Sequence, residues 1–226
     1  MTAIFVTATG TDIGKTFVTA GLVRALRRAG RAVEALKPVI SGFSLATLRA
    51  SDTGELLDAM GRKVSAREAD LISPWRFKAP LSPDMAAAME GTSIDFEALL
   101  AYSRDRIAMR QGVLLIEGVG GIMVPLDDRH TVLDWMIALH VPILLVAGSY
   151  LGTISHTLSA LDVLIRRGRR VMSVVVSETP GSAVDLDRTV ATLRRFIPHG
   201  VEVIALPHLA GEVQDSPVFD RLASLL

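Results

Sequence analysis

Six segments of strand length are apolar nearly throughout: residues 4–7, 33–36, 113–116, 141–146, 171–176 and 201–206. Strands without a polar face need cover on both sides, the condition of a parallel sheet held between two helical layers. Helical periodicity fills the intervals. Residues 16–29 place Val18, Leu22, Val23 and Leu26 on one stripe, with Arg24, Arg27 and Arg28 toward the carboxyl end and Gly30 as the stop. Residues 153–167 repeat the design, with Thr153 as the expected cap and Gly168 as the stop; residues 44–60, 83–90 and 95–109 are further helices. The chain shows no linker, internal repeat or low-complexity tract. Residues 1–226 are therefore expected to form one doubly wound α/β domain, a mainly parallel sheet with helices on both faces. Half of the 226 residues are hydrophobic, enough material for that core.

The first apolar run leads directly into Ala8-Thr9-Gly10-Thr11-Asp12-Ile13-Gly14-Lys15-Thr16. A strand, a glycine-rich turn and a helix in that order cradle nucleotide phosphates. The turn points backbone N–H groups at the anion, and the helix adds its positive end. In such a P-loop NTPase-like arrangement Lys15 reaches the phosphates and Thr16 offers its hydroxyl to Mg²⁺. The spacing is a variant, because the strict pattern wants glycine where Thr9 stands and Gly10 comes one place later. The plain alternative is an ordinary helix start, and the strand before and helix after argue against it.

Ligands of open α/β sheets sit beyond the carboxyl ends of the strands. Those ends carry most of the polar clusters punctuated by glycine or proline: residues 7–16, 37–41, 117–121, 148–153, 177–181 and 207–209. Glu117, at the tip of an apolar run and followed by Gly118-Val119-Gly120-Gly121, is placed either to hold a metal beside the phosphates or simply to be solvated. Lys37, fixed by Pro38, either presents a point charge to an anion in the site or snorkels to the surface. Asp52, after Ser51, is either a helix cap or a second metal-facing carboxylate.

Composition removes several classes. Lys+Arg and Asp+Glu number 24 each, so the chain lacks the basic excess of proteins that bind nucleic acid or anionic membranes in bulk. With no cysteine there are no disulfides, thiolate metal sites or thiol nucleophiles, which fits a cytoplasmic, reducing setting. No leader-like segment opens the sequence, and no apolar run approaches the roughly 20 residues needed to cross a bilayer. The five histidines share no metal-ligand spacing, and Trp75 and Trp135 read as packing residues.

With these residues in place, the chain resembles the dethiobiotin synthetase family over nearly its whole length. The resemblance rests on residues 10–16, on Lys37-Pro38-Val39-Ile40-Ser41-Gly42, on Ser51-Asp52, on Pro80-Leu81-Ser82-Pro83, on residues 117–121, and on residues 141–146 leading to Leu151-Gly152. It implies an ATP- and Mg²⁺-dependent ligase that closes the ureido ring of dethiobiotin from 7,8-diaminopelargonic acid and CO₂, with ADP and phosphate as products. By resemblance, Lys15 and Lys37 neutralise phosphate and carbamate oxygens, Thr16, Asp52 and Glu117 hold Mg²⁺, and Thr11 and Ser41 hydrogen-bond the carbamate or an amine. The nucleotide is expected against Asp12, Ile13, Gly14, Lys15, Thr16, Phe17, Asp52, Glu117, Gly118, Val119, Gly120, Ser177, Glu178, Pro207, His208 and Leu209. A homodimer is implied, with the substrate carboxylate held near Leu151, Gly152 and Thr153 of the other subunit, where a helix opens. Family members carry asparagine for the base where this chain has Ser177-Glu178, and a serine lacks the two-point contact of an amide.

The rival of a different class is a nucleotide-switched partition or positioning ATPase, similar in fold and loop. Those proteins carry a signature lysine four residues before the last loop glycine, where this chain has Gly10.

Overall fold

The computed structural model describes residues 2–208 and 216–226. Strands β1 (Ala3–Ala8), β2 (Val33–Leu36), β5 (Val113–Glu117), β6 (Ile143–Gly148), β7 (Val171–Ser177) and β8 (Glu202–Leu206) form a six-stranded sheet in the order β2-β5-β1-β6-β7-β8. Every neighbouring pair in it is parallel, with Ala3 opposite Leu114 and Phe5 opposite Ile143 on the two sides of β1. Two short strands, β3 (Val39–Ile40) and β4 (Trp75–Arg76), pair parallel beside it as a separate ribbon. The helices are α1 (Lys15–Arg28), α2 (Asp52–Ala59), α3 (Ala66–Ile72), α4 (Pro83–Met89), α5 (Phe96–Met109), α6 (Val132–Leu139), α7 (Thr153–Arg166), α8 (Leu186–Phe196) and α9 (Pro217–Ser224).

All six residues of β1 and of β6, and all five of β5, are buried, as expected of runs without a polar face. On one side α1 packs against α2 and α9; α5 packs against α6, and α7 against α8. Right-handed crossovers put these two groups on opposite faces, because the chain moves toward β2 after β1 but toward β8 after β5. One contact ties a helix to the sheet and another joins two helices of one layer. The ring of Phe5 meets Trp135 edge-on at 4.8 Å, and Gly21 leaves room for the Phe219 ring, which a Cβ there would approach to 2.3 Å.

The expected helix over 44–60 is broken. A 3₁₀ helix spans Leu45–Ala50, Ser51 is extended, and α2 starts afresh at Asp52. The Ser51 hydroxyl accepts the Gly54 N–H, and a Cβ at Gly54 would lie 2.0 Å from the Leu48 carbonyl oxygen. Only a glycine lets α2 tuck beneath the preceding turn. Ser51, not Asp52, is thus the cap, and the capping alternative for Asp52 falls away. Thr153 is not a cap either: Gly152, left-handed at φ 98°, takes that position, and the Thr153 hydroxyl donates to the Gly148 carbonyl at 2.6 Å.

Candidate active site

β1 delivers the chain to the phosphate loop in the middle of the sheet, where the strand order reverses direction. The turn closes through two left-handed residues, Asp12 (φ 56°) and Gly14 (φ 92°), and Gly14 caps α1. Lys15 folds back so that its ammonium donates to the Gly10 carbonyl at 3.3 Å. Burial, reinforced by the neighbouring Lys37 charge, lowers the Lys15 pKa to about 8.

The second strand end supplies the centre of the site. Lys37 is only 3% exposed, so it does not snorkel. Its ammonium donates to Glu117 Oε1 at 2.8 Å and to the Gly118 carbonyl at 2.9 Å, and lies 3.1 Å from Asp52 Oδ2. Glu117 is completely buried, which disposes of the solvated strand end. The Thr16 hydroxyl donates to the same Oε1 at 2.7 Å. Burial by itself would lower the Lys37 pKa, but the Glu117 and Asp52 carboxylates more than offset it and hold that pKa above the ordinary lysine value. Burial likewise pushes Asp52 up, but the Lys37 charge, hydrogen bonds from Lys37 and Thr16 and the Lys15 charge together outweigh it, leaving the Asp52 carboxyl below the usual range.

The residues fit a divalent cation. Glu117 Oε2 is buried and has no hydrogen-bond partner, an orphaned anionic oxygen beside a hydroxyl and a second carboxylate. Among the described residues no group of three or more His, Cys, Asp or Glu could hold a metal. Two carboxylates and a hydroxyl make a sparse oxygen set of the kind Mg²⁺ takes, completed by phosphate and water. The loop after Glu117 is pressed against the phosphate loop. A Cβ at Gly121 would stand 3.3 Å from the Thr9 carbonyl oxygen, and one at Gly118 would lie 2.8 Å from the Phe5 ring.

Three cavities adjoin along this edge. The middle one, about 280 Å³, runs between the phosphate loop and Lys37, Ser41, Asp52, Val119 and Gly120. On one side, a cavity of about 200 Å³ lies between Asp12, Ile13, Gly14 and Phe17 and the loops carrying Ser177, Glu178, Pro207 and His208. Glu178 ties those two loops by accepting the His208 N–H at 2.7 Å. On the other side, a cavity of about 350 Å³ is bounded by Thr11, Ser41, Pro80, Leu81, Val119 and Val124. Asp12 lines all three.

The expected residues thus converge, with two exceptions. Leu209 lies outside the described residues. Leu151, Gly152 and Thr153 line none of the three cavities of the single chain, and Leu151 is 91% exposed. The sequence reading gave no role to Pro80, Leu81 and Val124, which wall the third cavity, or to the Gly118 carbonyl that receives Lys37. Proximity of Val124 to the glycine run was the only signal for it.

The profile of a family described as an AAA domain matches residues 2–218. The chain is 48% identical over 198 residues to the ATP-dependent dethiobiotin synthetase of Acidiphilium cryptum, covering 87% of this chain and 89% of that one. It is 45% identical over 223 residues to the enzyme of the same name from Caulobacter vibrioides strain NA1000, covering 98% and 99%. Among solved structures, the MinC:MinD cell division complex of Aquifex aeolicus superposes with a TM-score of 0.57 at 16% identity, covering 98% of this chain and 86% of that one. The cell division ATPase MinD of Pyrococcus furiosus gives 0.51 at 19% identity, covering 88% and 81%. These structural likenesses extend to the fold alone.

Proposed function

The chain belongs to the dethiobiotin synthetase family, and we propose that it is the ATP-dependent ligase that joins 7,8-diaminopelargonic acid and CO₂ into dethiobiotin. One amine captures CO₂ as a carbamate. A carbamate oxygen then takes the γ-phosphoryl group and ADP departs. The second amine attacks the carbonyl carbon and expels that oxygen with phosphate. The observation that carries this reading is the continuity of the cavities: a third space of about 350 Å³ opens beside the phosphate-loop cavity and shares Thr11, Asp12, Ser41, Val119 and Gly120 with it. A hydrolase or nucleotide switch needs no second substrate at that point. A ligase needs one.

Phosphoryl transfer asks the protein for alignment and charge neutralisation rather than covalent help. Lys15, at the first turn of α1, binds the phosphates. Thr16, Asp52 and Glu117 hold Mg²⁺, which when bound neutralises phosphate oxygens. Lys37 stabilises the charge that develops between carbamate and phosphoryl group. Thr11 and Ser41, on the shared wall, orient the carbamate or the free amine, while Pro80, Leu81 and Val124 offer apolar cover to the aliphatic chain. Holding both reactants in line supplies several of the roughly 7–11 kcal/mol that proximity can contribute. The base rests between Phe17, Ser177, Glu178, Pro207 and His208.

The same reading makes the enzyme a homodimer, with the partner's residues 151–153 holding the substrate carboxylate at the start of α7. Exposed Leu81, Met123 and Leu151, all in loops beyond the carboxyl ends of strands, support burial of this edge. Light scattering is expected to give twice the chain mass, and Leu151→Glu to shift it toward the monomer and raise KM for the diamine. A monomer with an unchanged KM would remove this part of the reading. No helix among the described residues is long and apolar enough to cross a membrane. The lack of cysteine in the sequence fits a cytoplasmic, reducing setting for the proposed enzyme.

The test of the activity is direct. Protein incubated with diaminopelargonic acid, bicarbonate, Mg²⁺ and ATP should yield dethiobiotin by mass, and omitting either diamine or ATP should abolish it. ATP hydrolysis indifferent to the diamine, with no product, would instead favour the nucleotide switch.

A further inference from the structure

Lys37 is assigned above to the reacting anions, yet its side chain points elsewhere. An ammonium has three N–H donors. Two are donated, to Glu117 Oε1 at 2.8 Å and to the Gly118 carbonyl at 2.9 Å, and the ammonium forms a further ion pair with Asp52 Oδ2 at 3.1 Å. The two carboxylates are those that hold the divalent ion in the proposed function, and the Thr16 hydroxyl converges on the same Glu117 oxygen. A cation bound to Glu117, Asp52 and Thr16 competes with the ammonium for these oxygens, and two cations so close repel strongly.

We propose that Lys37 is a resident stand-in for the divalent cation: its ammonium fills the metal's place between Glu117 and Asp52 until the metal arrives, and metal binding releases it toward the neighbouring phosphate and carbamate positions. The inference rests on the proposed function for the destination of Lys37, though not for the exchange itself. Three features of the chain support it. Glu117 is fully buried, so with neither cation its charge would be compensated only by hydrogen bonds. Its second oxygen, Oε2, is unpartnered and buried, leaving a free ligand position while the ammonium occupies the first. The cavity beside Lys37 is bordered by Lys15, Thr11 and Ser41, so a released ammonium has open space on the side where the anions bind.

The exchange gives the enzyme an order of events. Before the metal binds, the lysine is tied down and the carbamate position lacks its counter-charge. Once the metal is bound, the same positive charge becomes available beside the phosphate, so transfer is enabled only in the fully loaded site. Water entering a partly loaded site meets a transferable phosphoryl group without that support.

Two measurements test this. The first is Mn²⁺ binding to the nucleotide-free protein, followed by electron paramagnetic resonance, for wild type and Lys37→Met. Loss of the competing charge should tighten Mn²⁺ binding at least about tenfold. Equal or weaker binding would overturn the proposal. The second needs no variant: crystal structures of the wild-type enzyme without metal, and with Mg²⁺ and a non-hydrolysable ATP analogue. Lys37 Nζ should lie beyond about 4 Å from both Glu117 and Asp52 in the loaded enzyme. An ammonium still bonded to Glu117 beside a bound metal would overturn it. Product formation by the same preparation keeps the two claims apart: an active enzyme whose Lys37 does not move refutes the exchange alone, and an enzyme that makes no dethiobiotin refutes the function.

Discussion

Replacing Lys37 by methionine keeps most of the side-chain volume and removes the charge between Glu117 and Asp52. The cost divides unequally. Glu117 is wholly buried, with the Thr16 hydroxyl as its other partner. Unit charges about 4 Å apart at an effective permittivity near 20 interact by about 4 kcal/mol, and one-sided loss of a buried pair costs about 3–5 kcal/mol. The two routes agree. The Asp52 side chain is 43% exposed, and solvent screening reduces its share to about 1 kcal/mol or less. Lys37→Met should therefore destabilise the nucleotide-free protein by about 4 kcal/mol, a large part of the roughly 5–15 kcal/mol that holds a domain folded. In a chain of this size that corresponds to a fall in Tm of about 8–16 °C. The double variant Lys37→Met/Glu117→Gln removes the stranded charge and should recover at least half of the loss. Urea unfolding of wild type, both single variants and the double variant completes the cycle. A loss below about 1 kcal/mol for Lys37→Met, or no recovery in the double variant, would show that the pair does not carry the energy assigned to it.

Further substitutions separate the roles around this pair. Lys15→Gln should abolish nucleotide binding and turnover together, whereas Lys37→Gln should lower kcat by about 10²-fold or more while nucleotide affinity, measured without metal, changes little. Equal losses in kcat and affinity for Lys37→Gln would make it a ground-state anchor only. Gly54→Ala should force the start of α2, and Asp52 with it, away from the Leu48 carbonyl; an overpacking cost of about 1–3 kcal/mol and weaker Mn²⁺ binding are expected, and wild-type values for both would refute that account. Because Ser177 lacks an amide, turnover with CTP and GTP should fall within about 100-fold of that with ATP, and a preference for ATP near 10⁴-fold would contradict this.

Much of this architecture is legible in the residues themselves. The apolar strands announce a buried parallel sheet because a strand with no polar face has no other place to go, and the glycine-rich turn after β1 marks where the phosphates bind. What the residues do not announce depends on packing at a distance. The break at Ser51 is accommodated by the close approach of Gly54 to Leu48 and by the Ser51 hydroxyl, which donates to the Leu48 carbonyl and accepts the Gly54 N–H. Helix α6 is apolar nearly all round and shows no stripe, whereas α8 does carry one, with Leu186, Val190 and Leu193 buried, that the sequence reading passed over. At the site, the alternatives for Lys37 and Glu117 are alternatives of burial, and that for Asp52 turns on which residue caps α2. They closed only when β2, α2 and β5 brought the three side chains together. Lys37 and Glu117 stand 80 positions apart, and no local pattern encodes their pairing.

Activation of the carbamate by phosphoryl transfer can be read from the fate of one oxygen atom. In the proposed sequence one oxygen of CO₂ stays in the ureido carbonyl and the other leaves bonded to phosphorus. With ¹⁸O-labelled bicarbonate and unlabelled ATP in a single turnover, mass spectrometry should find one ¹⁸O in the phosphate for each dethiobiotin formed. Dethiobiotin formed alongside unlabelled phosphate would contradict the account.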